Sequence, residues 1–347
     1  MQKFTCQCSN VLTFENSQCL QCGAEVGYDP LSDRMEQVGA KFKRCANGTT
    51  YGTCNWLLPA ASTDELCLAC QLNQTIPDML VPGNNVLWGK MEVAKKRAIY
   101  SLLQFGLPVQ RRSESCPHGL AFRFLMPVNG APVITGHEHG VITLNLEEAD
   151  DAVREQNRTR LHEPYRTLLG HFRHELGHYY WDQWFEHDSK HEEVLPAFRA
   201  VFGDERLDYG QALQNHYNQG APADWQNSFI TAYATMHPWE DWAETWAHYL
   251  HMTDAVETAR SFHMETEAVV KAADTYGPDI CTLPPPFDKV DPGLFLDVLN
   301  QWTHVSISLN EMSSSLGQGM LYPFVMSTPA VRKLHFVHCM VCRPLRS

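Results

Sequence analysis

Eight cysteines crowd into the first 70 residues of this 347-residue chain, which has twelve in all. They stand as Cys6-x-Cys8, Cys19-x-x-Cys22, Cys45, Cys54 and Cys67-x-x-Cys70. This spacing limits the possible folds more than any other feature. The segment around them is rich in Gly, Asn and Thr and lacks long apolar periodicity, so burial alone gives it too little core and it needs staples. MQKFTCQCSN at the start has no apolar run of signal-peptide length, which argues against export. In such a chain clustered cysteines read as metal ligands before disulfides. Two close pairs joined by a hairpin make a tetrahedral thiolate site. Cys6, Cys8, Cys19 and Cys22 form the first set, with Gly23 suited to the tight turn, and Cys45, Cys54, Cys67 and Cys70 form the second. We expect two structural zinc ions in a module over residues 1–75 and a second domain over 76–347.

Charge narrows what that module binds. The chain carries 27 basic against 40 acidic residues, a net charge of −13, and lacks the positive field that nucleic acid or acidic lipid needs. Within 1–75 five basic residues face seven acidic ones, so a scaffold or protein-contact role fits better than nucleic-acid binding. No apolar run is long enough to span a bilayer. The expected compartment is the cytoplasm.

Past the cysteines, "NNVLWGKMEVAKKRAIYSLLQFGLP" places Leu87, Met91, Ala94, Ala98, Leu102 and Phe105 at helical spacing and reads as a connecting helix. "LAFRFLMPV" and "GVITLNL" are the convincing strands, the second a candidate edge for pairing with an extended substrate. The remainder reads as helix, with further helices over 191–202, 204–218, 238–252 and 254–263. The class is α+β: a cysteine module, then a mainly helical domain with one small sheet.

The helix "EPYRTLLGHFRHELGHYYWDQWF", with Pro164 at a plausible first position, carries His174-Glu175-x-x-His178. Two histidines four apart share one helix face, so both imidazoles reach one metal at about 2 Å. Glu175, beside the first ligand, is placed to take a proton from attacking water. Gly177 costs the helix up to about 1 kcal/mol against alanine, which makes sense where something approaches closely. An apolar face of Leu168, Leu169, Phe172, Leu176 and Tyr179 fixes the pair on a real helix rather than a chance match.

A catalytic zinc needs a third protein ligand. In "MHPWEDWAETWAHYLHM", Glu240, Glu244, His248 and His251 form one helical stripe, with Trp239, Trp242, Trp246 and Leu250 opposite. Glu240 and Glu244 both qualify as the ligand. Glu240 is preferred because it lies close to the helix start and leaves Glu244 to accept a hydrogen bond from a ligating histidine. Tyr179, His248 and Tyr249 are candidates for stabilising an oxyanion. His335, His338, Cys339 and Cys342 lie too close in sequence for an ordinary closed site and read as free side chains.

These segments, with "CNW", "LCLAC" and "TIPD" in the cysteine module, resemble the bacterial zinc-binding metallopeptidases that carry an N-terminal zinc-ribbon domain. The likeness runs from residue 1 to about residue 338, and "RTLLGHFRHELGHYYW" is its most specific string. It implies a zincin-like catalytic domain with a glutamate ligand, in a cytoplasmic protein of undefined peptide substrate. Glu240-Asp241-Trp242-Ala243 matches the family's Glu-x-x-Ala form, whereas Glu244 stands where its pattern has aspartate, and the tail "CMVCRPLRS" departs from it. The expected activity is peptide hydrolysis by a zinc-activated water with Glu175 as general base. The alternative is a non-catalytic zinc-binding scaffold built on the ribbons, without a nucleic-acid or membrane partner.

Overall fold

The computed structural model describes residues 1–128, 131–160, 163, 165–187, 189–264 and 276–343. Pro164 lies outside them. About 49% of the chain is helical and its strands are short, so the class is α+β. The chain forms two compact units, Met1–Phe172 and Arg173–Ser347. Among the described residues no helix is long and apolar enough to cross a membrane.

The first unit begins with three two-stranded ribbons: β1 (Phe4–Thr5) with β2 (Val11–Leu12), β3 (Val26–Asp29) with β4 (Arg34–Gln37), and β5 (Phe42–Arg44) with β6 (Leu57–Pro59), all antiparallel. The short helices α1 (Ala46–Tyr51) and α2 (Leu68–Gln71) lie among them. Each cysteine set gathers its four sulfurs to one point. Cys6 and Cys22 Sγ are 3.7 Å apart, Cys8 and Cys19 3.6 Å, and Cys54 and Cys67 3.6 Å. Disulfide sulfurs sit at about 2.05 Å, whereas four bonds of about 2.3 Å to one zinc put tetrahedral sulfurs roughly 3.75 Å apart. The clusters therefore have the dimensions of metal sites. Gly23, at φ 74°, closes the second knuckle by donating its N–H to Cys19 O.

α3 (Asn84–Gln104) is not a free connector. Its Tyr100 ring packs at 5.2 Å from Phe14 and 5.8 Å from Tyr28, inside the aromatic core that Trp56 completes. Three charged residues on it, Glu92, Lys95 and Lys96, are buried. Lys95 Nζ meets Glu92 Oε1 at 2.7 Å, and Lys96 Nζ donates to Thr53 O at 2.6 Å, next to Cys54. Burial works against the Lys96 charge, but Cys54 and Glu92 outweigh it and hold the ammonium up at about 12. Two ammoniums against one carboxylate leave a surplus positive charge, which suits a neighbouring four-thiolate zinc of net negative charge. Cys54→Ser is expected to remove one zinc per chain and expose this unit to protease, because closed thiolate sites contribute folding energy directly. Unchanged zinc content and protease resistance would show that these four thiols do not form one metal site.

The unit's four-stranded sheet has the order β7 (Asn73–Thr75), β8 (Ala121–Leu125), β10 (Val141–Asn145), β9 (Gly136–Glu138). "GVITLN" is therefore an interior strand, correcting the expectation of an exposed edge. β10 is parallel to β8 on one side and antiparallel to β9 on the other. The β9–β10 turn is His139-Gly140, both at positive φ, the geometry of the tightest hairpin loops. α4 (Asp151–Arg160) follows, and α5 (Leu168–Trp181) begins at Leu168.

The second unit is helical: α6 (Leu195–Phe202), α7 (Tyr209–Gln219), α8 (Pro238–Ser261), α9 (Gly293–Ser315) and α10 (Thr328–Cys342). α8 is continuous where two helices were expected. Thr253, the position left between them, lies inside the helix and its hydroxyl bonds back to Tyr249 O at 3.0 Å. α8 is started by His237, whose Nδ1 accepts from Trp239 N at 3.1 Å, with Pro238 at the first helical position. A buried pair, Lys333 Nζ to Asp241 at 2.6 Å, ties it to α10.

Candidate metal centre

Gly177 is where α5 and α8 meet. A Cβ there would lie 2.9 Å from Ala243 Cα and 3.2 Å from Trp246 Cβ, and Trp242 Nε1 donates to Gly177 O at 2.8 Å. The glycine in the histidine motif lets a second helix backbone come close. That approach brings the start of α8 against His174 and His178.

Three atoms then converge. Glu240 Oε2 is 2.9 Å from His174 Nε2 and 3.4 Å from His178 Nε2, and the two Nε2 atoms are 3.1 Å apart. Ligand atoms about 2.0–2.1 Å from one tetrahedral zinc stand roughly 3.3–3.4 Å from each other. The donor set of two imidazoles and a carboxylate and its spacing both fit a zinc ion. Glu244 meets His174 from the other side, with Oε1 at 2.7 Å from Nδ1. A carboxylate on the distal nitrogen fixes the tautomer so that Nε2 presents its lone pair inward.

The electrostatics ask for a cation. Burial would push the Glu240 carboxyl up, yet His178 and His174 hold it well below the usual range. Burial opposes charge on His174, but Glu240 and Glu244 raise it well above the ordinary imidazole value. The buried Glu240 and the half-buried Glu244 carboxylates, facing two histidines, are satisfied by positive charge among them, whether protons or a metal. Glu175 is buried at 7% exposure, close enough for its charge to push up the Tyr209 phenol.

The other sequence candidates have partners of their own, and Tyr179 packs edge-on against Tyr180 at 5.0 Å. His248 is buried and held neutral, its pKa lowered to about 4 by burial, and its Nδ1 pairs with Tyr322 Oη at 2.6 Å. Tyr249 Oη pairs with His338 Nδ1 at 2.9 Å. Nine residues beyond Glu240, Tyr249 points to the far side of α8 and sits about 13 Å along its axis. His335 Nδ1 pairs with Cys281 O at 2.8 Å. Asp182, Glu186 and His187 also gather within reach of one ion, two of them exposed.

Three residues of the centre escaped sequence reasoning. Tyr209, at the start of α7, donates its hydroxyl to Glu240 Oε1 at 2.9 Å. Trp239, assigned to the apolar side of its helix, stacks on His178 with ring centroids 3.6 Å apart. Tyr233 lies with its ring 6.0 Å from that of His174. Tyr209 is 31 positions from Glu240 and shares no periodicity with it, so nothing in the sequence links the two.

Residues 84–340 match the family model described as "Putative zinc-binding metallo-peptidase". The chain belongs to this family. Ahead of that match, residues 3–81 fit a zinc-ribbon domain model, which covers all eight clustered cysteines. Uncharacterized proteins of Mycobacterium bovis and Mycobacterium tuberculosis are each 41% identical to this zinc-binding metallo-peptidase family member over 348 aligned positions, 98% of this chain and 95% of theirs. No solved structure matches the chain. Zinc binding is supported both by these two families and by the two four-cysteine clusters.

Proposed function

We propose that this chain is a zinc-dependent peptidase whose catalytic zinc is held by His174, His178 and Glu240, with Glu175 as general base. The observation that carries the reading is the convergence, among the described residues, of three protein ligand atoms rather than four at tetrahedral spacing. Structural zinc sites close with four protein ligands, while catalytic ones leave a position for water or substrate. When bound, the zinc would acidify water and polarise the scissile carbonyl. Glu175 takes the proton that water gives up as its oxygen adds to the carbonyl carbon. The same carboxyl then delivers that proton to the amine as the C–N bond breaks. A structural site has no use for such a base, which weighs against a purely scaffolding protein. The cysteine clusters would hold two further zinc ions, and their reduced thiols suit work in the cytoplasm. The ribbon module is proposed to serve as scaffold or protein contact.

Zinc-loaded protein is expected to cleave members of a randomised peptide library. A chelator should stop cleavage and added zinc restore it. Should no member be cleaved by protein carrying its full zinc complement, the scaffold reading takes over.

A further inference from the structure

The three converging groups are held in place by three different kinds of neighbour. His174 has the Glu244 carboxylate on Nδ1 at 2.7 Å. His178 has the Trp239 indole against its ring face. Glu240 has a phenol: Tyr209 Oη donates to Oε1 at 2.9 Å.

We propose that Tyr209 is a positioning residue that holds Glu240 to one oxygen, occupying Oε1 so that Oε2 alone faces the two imidazoles. The inference rests on the reading of His174, His178 and Glu240 as a metal site. A carboxylate can grip a cation through either oxygen or through both, and gripping with both raises the metal's coordination number. A donor fixed on Oε1 competes for that oxygen's lone pairs. A hydroxyl is neutral, so it does this without cancelling the carboxylate charge, as lysine or arginine would.

The surroundings fix the phenol in this role. Its ring packs edge-on against His237 at 5.5 Å and Trp239 at 5.8 Å, the two residues that flank Pro238 at the start of α8. Tyr209 is thus clamped to the same helical turn that carries Glu240. An ionised carboxylate only accepts, so the Tyr209 proton points at Oε1.

The test uses the full chain with cobalt(II) exchanged into the histidine site. Spectra are read as differences from His174→Ala so that cobalt at the cysteine clusters cancels. Four-coordinate cobalt absorbs visible light more strongly than five-coordinate cobalt. Tyr209→Phe keeps the ring and removes the hydroxyl. It is expected to lower the visible absorption and to weaken metal retention against a chromophoric chelator by about 10- to 100-fold. Tyr233→Phe, which leaves the Tyr209 hydroxyl and the ring beside His174 in place, should keep the wild-type spectrum and retention. A Tyr209→Phe spectrum and retention indistinguishable from wild type would overturn the proposal while leaving the metal site standing. If wild type and His174→Ala take up cobalt alike, the metal site itself is wrong and the role of Tyr209 falls with it.

Discussion

Glu175→Gln is expected to lower peptide cleavage by roughly 10²- to 10⁴-fold while the zinc content of the protein stays the same. That range corresponds to about 3–5 kcal/mol of transition-state stabilisation. The amide keeps the size of the side chain and can hydrogen-bond, but it cannot accept a proton at neutral pH. Glu175 lies beside His174 in the chain, yet it is not one of the three groups whose ligand atoms converge, so zinc should remain. Steady-state cleavage measured beside elemental analysis separates the two effects. Full activity in Glu175→Gln would assign proton transfer to another group. Lost activity together with lost zinc would mean that Glu175 shapes the metal site rather than the chemistry.

Glu240→Ala should cost the protein one zinc of three, leaving the two in the cysteine clusters. Glu240 Oε2 lies on the Nε2 atoms of both histidines, so its removal takes away a direct ligand and the charge that offsets a buried cation. It also leaves the Tyr209 hydroxyl without its acceptor. Glu244→Ala removes the carboxylate from His174 Nδ1, and losing such an outer partner typically weakens metal affinity or activity about 10- to 100-fold. The Glu244 variant should therefore hold three zinc ions when freshly loaded and lose one first under chelator. Zinc stoichiometry on both variants decides the matter: the opposite pattern would make Glu244 the ligand, and three retained zinc ions in both would send the search to His237 and His248.

Much of this protein is local, and local features are written in the sequence. The close cysteine pairs are two or three residues apart, the histidines one helical turn apart, and Pro238 and Glu240 share a helix start; each spacing fixes geometry through local backbone conformation alone. Gly177 announced a close approach, though not that α8 would make it.

What crosses from one element to another was settled only by tertiary packing. "GVITLN" alternates like any half-buried strand, and its neighbours on both sides depend on which segments return to it. The run "KMEVAKKRAIY" reads as part of a connecting helix, but charges are buried when partners meet them, and those partners are Thr53, Asn73 and the cysteine cluster from elsewhere in the chain. His248 and Tyr249 had the right chemistry for a reaction and proved to be committed to Tyr322 and His338. Tyr209 had no pattern to mark it and ended on the Glu240 carboxylate. The sequence by itself determined the ligand types and their local spacing, because helix and knuckle geometry act over a few residues. Only the tertiary structure decided which hydroxyl, indole and carboxylate surround those ligands, because hydrogen bonds between distant elements form where packing brings them together and leave no periodic trace in the chain.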